Sequence, residues 1–349
     1  MIAAEYAYLN ARVNLLAGKL LEPGQVDALI DRTADEAAGD SDRHGRTAGL
    51  MHYIGDLDQN NVTLLLQDLA VLIRPLSGEA RELLRYWAHR FELNNLKVII
   101  RGKMAGQPQQ AIEEQLLDMG RFTSLPLAEL LQSDSAAELL RHLEQTPFAE
   151  LARQARHLLE QGEALFALDA ALDRRYFAGL SRRSGSIDNT SGGFLRAIIG
   201  SIIDRVNLVW LLRYRFAYGL PPSQAYYLLI PASHRLSAQQ LQQLSQQPTF
   251  EDVLGNLAEP YASMLAGARN TTEVTLRLEQ ETWRVAAHAL NHSVFNVARA
   301  LAYLVLRERD LRRLRAIVRG HDVQMDAGMI RTALGLRDSH ATGGESGHV

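Results

Sequence analysis

Apolar residues recur at i, i+3, i+4 and i+7 through most of the chain, as in AEYAYLNARVNLLAGKLL at 4–21 and LARQARHLLEQGEALFALDAAL at 151–172. That spacing lines up one face of an α-helix, and no stretch alternates with the period of two that a half-buried strand needs. Ala, Leu, Gln, Glu and Arg dominate these segments, all good helix formers. The pattern predicts an all-α fold from the start to about residue 337. Pro and Gly punctuate it at 22–25, 74–79, 106–108, 146–147, 219–223 and 247–249. Two segments, SRRSGSIDNTSGG at 181–193 and RDSHATGGESGHV at 337–349, are small, polar and aperiodic, and are expected to be disordered.

Residues 194–212 and 285–306 form the longest apolar runs. The first carries Arg196, Asp204 and Arg205, and the second carries Arg299, two His and two Asn. A charge at mid-bilayer costs about 2.5–3.5 kcal/mol, so both are read as buried amphipathic helices rather than membrane spans.

Three stretches share an order of residues: FELNNLKVIIRGK at 91–103, DRVNLVWLLRYR at 204–215 and RDLRRLRAIVRGH at 309–321. Each has an acid, then two residues, Asn or Arg, Leu, four residues and Arg. The positions are Glu92, Asn95 and Arg101; Asp204, Asn207 and Arg213; and Asp310, Arg313 and Arg319. Successive acids lie 112 and 106 positions apart, about the length of a small domain and far beyond common solenoid repeats. Fainter echoes keep the spacing, with LDRRYFAGL at Leu172 matched by LEQETWRVA at Leu278. The pattern predicts three helical domains: 61–160, 161–271, and 272–337 completed by 1–60, where LLAGKLLEPGQVDALI at 15–30 resembles LLDMGRFTSLPLAELL at 116–131. Residues 338–349 are left as a tail. On a helical wheel each acid borders the apolar stripe, half-buried, within hydrogen-bonding reach of the residue three on, while the Arg nine on faces away. Lys103, Arg215 and His321, eleven after each acid, can pair only with another element.

Composition narrows function mainly by exclusion. Apolar residues make up 47% and charged residues 22%, and a net charge of −3 nominates neither nucleic acid nor an acidic partner. With no Cys there is no disulfide, thiolate nucleophile or thiolate metal site. No signal-peptide pattern opens the chain, so a cytosolic location is expected. No glycine-rich phosphate loop is present, so ATP hydrolysis by this chain is not expected. His288 and His292 are spaced i, i+4, but Ala289 stands where a metalloprotease helix carries Glu, and they are read as ordinary helix-surface or interface histidines. The six Arg of 307–319, interleaved with Glu308 and Asp310, are read as a solvated face or protein interface. Trp87, Trp210 and Trp283 are read as core anchors. No cofactor or metal is expected.

On YLNARV at 8–13, the stretch 91–103, LDRRYF at 172–177, the stretch 204–215 and LAYLVLRERDLRRLRAIVRG at 301–320, the chain resembles the C subunit of A/V-type rotary ATPases, whose eukaryotic counterpart is called the d subunit. Tyr214 departs from the Gly102 and Gly320 of the other stretches, so the middle helix is expected to run on there. The resemblance implies three similar helical domains in a pseudo-threefold funnel. It implies a non-catalytic part that is peripheral on the cytoplasmic membrane face and monomeric in isolation. There it would join the central-stalk subunits to the proteolipid ring of an ion-translocating complex. The rival reading is a helical adaptor with no rotary role.

Overall fold

The computed structural model describes residues 2–31, 57–145, 149, 152, 153, 156, 157, 165–187, 193–232 and 234–336, which form helices and turns and, among the described residues, no strand. The chain is all-α. Two helices, α1 (Ile2–Ala17) and α2 (Pro23–Asp31), precede α3 (Leu57–Ile73) and the long α4 (Gly78–Met104). Short helices α5 (Gln109–Glu113), α6 (Leu127–Gln132) and α7 (Ala136–Leu143) follow. The pair α8 (Leu165–Ile187) and α9 (Phe194–Leu212) leads into a π-helical turn at Arg213–Ala217 and four short helices, α10 (Pro222–Tyr227), α11 (Ala238–Ser245), α12 (Phe250–Gly255) and α13 (Tyr261–Leu265). The last long pair is α14 (Thr271–His292) and α15 (Val297–Asp322), with α16 (Ala327–Ala333) behind it.

Local chemistry sets many of the starts. Ser135, Thr249, Asn270 and Asp326 each accept a hydrogen bond from the backbone N–H three residues on, and Ser237 with Gln240 closes a reciprocal box at α11. Such caps satisfy donors that the first turn of a helix leaves open, for about 1 kcal/mol each.

The long helices pack in a closed order: α3 on α4, α4 on α8, α8 on α9, α9 on α14, α14 on α15, and α15 back on α3. α1 lies against α15 and α3, while α2 lies against α15 and α16. Leu21, Val26, Leu29 and Ile30 share an apolar cluster with Leu314, Ile317, Ile330 and Leu334, joining residues about three hundred positions apart. A second cluster gathers Leu208, Leu211, Tyr214, Leu241, Leu244, Val253, Tyr261 and Leu278. The largest runs through α1, α3, α4, α8 and α15 and holds Trp87 at 1% exposure, with Trp210 and Trp283 packed half-buried against it.

Several expectations change. Residues 181–187 of the polar segment 181–193 continue α8 instead of being disordered, because its inner face carries Leu180 and Ser184, both buried, and Ser184 closes onto the Ser181 carbonyl. The run 285–306 is broken at 293–296. Buried Ser293 ends α14, and Asn296 caps α15, so two polar turn formers outweigh the apolar content on either side. Residues 188–192, the TP turn at 146–147, most of 151–164 and the tail 338–349 lie outside the described residues. Among the described residues, no helix is long and apolar enough to cross a membrane.

Candidate functional site

Glu92, Asp204 and Asp310 are 1%, 0% and 0% exposed, buried outright rather than half-buried. Each lies on the inward face of a long helix and accepts from backbone N–H groups just ahead of a short helix. Glu92 accepts from Ser124 N and, at 3.0 Å, from Leu125 N before α6, with Ser124 Oγ and His89 Nδ1 donating at 2.7 and 2.8 Å. Asp204 accepts from Arg235 N at 2.9 Å and Leu236 N at 3.4 Å before α11, and from the Tyr261 hydroxyl at 2.7 Å. Asp310 accepts from Leu21 N at 2.8 Å before α2, and from Arg309 at 2.8 Å. A carboxylate can be buried this way because charge-assisted bonds replace its water, at about 1.5–3 kcal/mol each. Leu125 and Leu21 both stand two residues before their helices, three positions off the register that the sequence resemblance of 15–30 to 116–131 suggests.

The residue three on from each acid does not bond it. Asn95 instead exchanges two bonds with the Leu117 backbone, donating to its carbonyl at 2.7 Å and accepting from its N–H at 2.8 Å. Asn207 does the same with Ile230, at 3.3 and 2.8 Å. The acid's acceptors are already taken from across the helix, and an amide that both donates and accepts suits a peptide group better. Arg313 stands over the Trp283 ring at 5.2 Å. Arg101, Arg213 and Arg319 are exposed, and Arg101 pairs with Asp169 of α8. Eleven residues after each acid, Lys103, Arg215 and His321 donate to the carbonyls of Leu131, Ser245 and Leu29 at 2.5, 2.7 and 3.2 Å.

The helix ends explain Tyr214. A Cβ on Gly102 would come within 2.5 Å of Ile112, and one on Gly320 within 2.7 Å of Ile330, so glycine lets α5 and α16 close onto their long helices. The chain then turns through Gly106 and Gln324 at φ +64° and +55°, with Gln107 N bonding to Gly102 O and Met325 N to Gly320 O. After α9 the corresponding bond, Leu220 N to Tyr214 O, spans one residue more, and the left-handed residue is Gly219. One inserted residue is absorbed as the π-helical turn. Tyr214 is large where glycine stood, and the fully buried Ala225 is small where isoleucine stood.

Burial alone would raise all three acids. At Glu92 the bonds from His89, Ser124 and Leu125 outweigh burial and hold the carboxyl below the ordinary range. Burial prevails at Asp204, over Tyr261 and the Arg235 and Leu236 amides, and at Asp310, over Arg309 and Leu21 N. With their oxygens engaged inward, these carboxylates organise backbone and are closed to solution.

Sequence reasoning missed a charged network where four long helices meet. Arg90 of α4 reaches Glu308 of α15 at 2.6 Å; Arg312 bridges Glu308 at 2.5 Å and Glu279 of α14 at 3.2 Å; Arg205 of α9 holds Glu279 at 2.8 Å. Arg90 also lies 4.0 Å from the Trp87 ring centre. The run 307–319 is therefore not simply a solvated face or partner surface: Arg307 is 3% exposed beside Asp68, Arg309 pairs with Asp310, and Arg312 with Glu308, because α15 is surrounded by α1, α3, α9 and α14. His288 and His292 stack at 4.2 Å, His292 Nδ1 donates to the His288 carbonyl, and no third metal-ligating group joins them among the described residues.

Residues 9–333 match the sequence profile of the ATP synthase (C/AC39) subunit family. The chain belongs to that family. It is 25% identical to the C subunit of the A-type ATP synthase of Methanocaldococcus jannaschii over 346 residues, covering 95% of this chain and 86% of the relative. Against the C subunit of the A-type ATP synthase of Methanococcoides burtonii it is 24% identical, covering 95% and 94%. The C subunit of a V-type ATP synthase from Thermus thermophilus is 28% identical over 210 residues, 59% of this chain and 62% of the relative. The C/AC39 match takes in all three buried acids and runs from within α1 to the end of α16.

Proposed function

We propose that this chain is the non-catalytic C subunit of an A/V-type rotary ATP synthase or ATPase. It links the central-stalk subunits to the proteolipid ring on the cytoplasmic face of the membrane. The observation that carries the reading is the family match over residues 9–333 together with relatives named as the C subunit of A-type and V-type ATP synthases. In this proposal the chain is three similar helical domains, 61–160, 161–271 and 272–337 with 1–60, around a pseudo-threefold axis as a funnel. Support comes from the recurring bond between a long-helix acid and the backbone ahead of a short helix at Glu92, Asp204 and Asp310, and from the closed order of the six long helices. A part that transmits torque needs stiff walls and matched surfaces rather than reactive side chains. The test is affinity capture of the tagged chain from detergent-solubilised membranes. Central-stalk and proteolipid subunits should be recovered together, and recovery of neither overturns the proposal.

A further inference from the structure

Four arginines, Arg74, Arg81, Arg85 and Arg121, line one cleft of about 540 Å³ between the end of α3, the first turns of α4 and the 3-10 turn at Gly120–Phe122. By contrast, Arg90, Arg101, Arg205, Arg307, Arg309, Arg312 and Arg331 each face a carboxylate. None of the four cleft arginines forms an ion pair with a described residue. Nearby carboxylates do not answer them: Glu5 accepts from Ser77, Asp118 accepts from Gly120 N, and Glu79 and Glu82 pair with none of the four. In a chain of net charge −3, the lining of this cleft carries four cations and no carboxylate.

We propose that this cleft binds a soluble, multiply charged phosphate compound such as an organic or inorganic polyphosphate. Guanidinium forks match phosphate oxygens two at a time, and four guanidinium charges exceed the roughly two negative charges that a single phosphate carries. The volume falls within the range of about 300–1,000 Å³ typical of small-molecule sites. Ile73, at 7% exposure, and the half-buried Ala70, Val71 and Phe122 supply an apolar floor, and Arg121 stands 5.5 Å from the Phe122 ring centre. An extended acidic segment of another protein is less well matched, because the four arginines line one cleft of small-molecule size instead of a long stripe.

Calorimetric titration of the full chain with sodium tripolyphosphate and, separately, with ATP tests the proposal. One saturable site is expected, weakened roughly tenfold or more by Arg81→Gln with Arg85→Gln and unchanged by Arg269→Gln, an exposed arginine elsewhere. Equal affinity for the two compounds assigns the site to the phosphate chain; tighter ATP binding adds a contact of the nucleoside with the Phe122 floor. Should the double variant fail to fold, Arg74→Gln with Arg121→Gln, both exposed, replaces it. Any of four results overturns the proposal: no saturable binding at millimolar ligand; binding untouched by the cleft variants, an adventitious ion only; arginine-dependent binding confined to vesicles of phosphatidylcholine with phosphatidylglycerol; or displacement of tripolyphosphate by hexaglutamate at lower concentration, which would indicate an acidic protein partner.

Discussion

Asp204 is wholly enclosed and receives two backbone N–H groups and the Tyr261 hydroxyl. Asp204→Ala leaves those donors unanswered, and a loss of about 3 kcal/mol in urea unfolding is expected. Unchanged stability with weakened partner binding would instead make the acid a contact residue. Its pH behaviour is opposite to that of Glu92. Asp204 keeps its proton to higher pH in the fold than in the unfolded chain, so its contribution is fullest at low pH and is lost as pH rises through the folded value. Glu92, held down, stabilises above its unfolded pKa and loses that contribution as pH falls. Glu92→Gln should therefore destabilise more at neutral pH than at acid pH, a contrast that paired melts at two pH values would reveal. At Gly320, Ala would drive a methyl into Ile330 and cost about 1–3 kcal/mol. Ile330→Val should recover part of that cost, and a double-mutant cycle showing no coupling would contradict the contact.

At the scale of elements, the junction of α4, α9, α14 and α15 rests on Glu308. Arg312 and Arg90 overcome the cost of burial and hold its carboxyl at about 2, against an ordinary 4.5. The depressed value implies stability present above the unfolded pKa and lost as pH falls from about 4.5 toward 2, on the order of 3 kcal/mol in all. Glu308→Gln should flatten that part of the stability-versus-pH curve, and an unaltered acid limb would show that the pairs contribute nothing. Helix identity was legible in the sequence from spacing within each segment, and the positions of the three acids from a pattern shared by three segments, although their full burial was not. The junction was not, since Arg90, Arg205, Glu279 and Glu308 come from four helices with no sequence relation among them. A period of 3.6 tells which face of α15 is polar, but not whether water or another helix lies opposite. The same limit hid the destinations of Asn95 and Asn207, whose peptide partners lie more than twenty residues away.

On the scale of the molecule, α1 and α2 cover α15 and α16. Leu21 N serves Asp310, the Lys19 carbonyl accepts from Arg307, and Asp31 pairs with Arg331 at 2.8 Å. A chain beginning at residue 57 should lose cooperative unfolding and expose apolar surface around Leu314 and Ile330, seen as a broadened melt and dye binding. A melt as sharp as that of the full chain would show that α1 and α2 are dispensable. The same pairing sets a timetable for synthesis. Residues 2–31 leave the ribosome long before 297–333 exist, so Leu21, Val26, Leu29 and Ile30 must remain without their packing partners through nearly all of translation. Pausing the ribosome before residue 297 should leave the nascent chain's first two helices open to protease and to chaperone capture, until the last long helix emerges and draws them in.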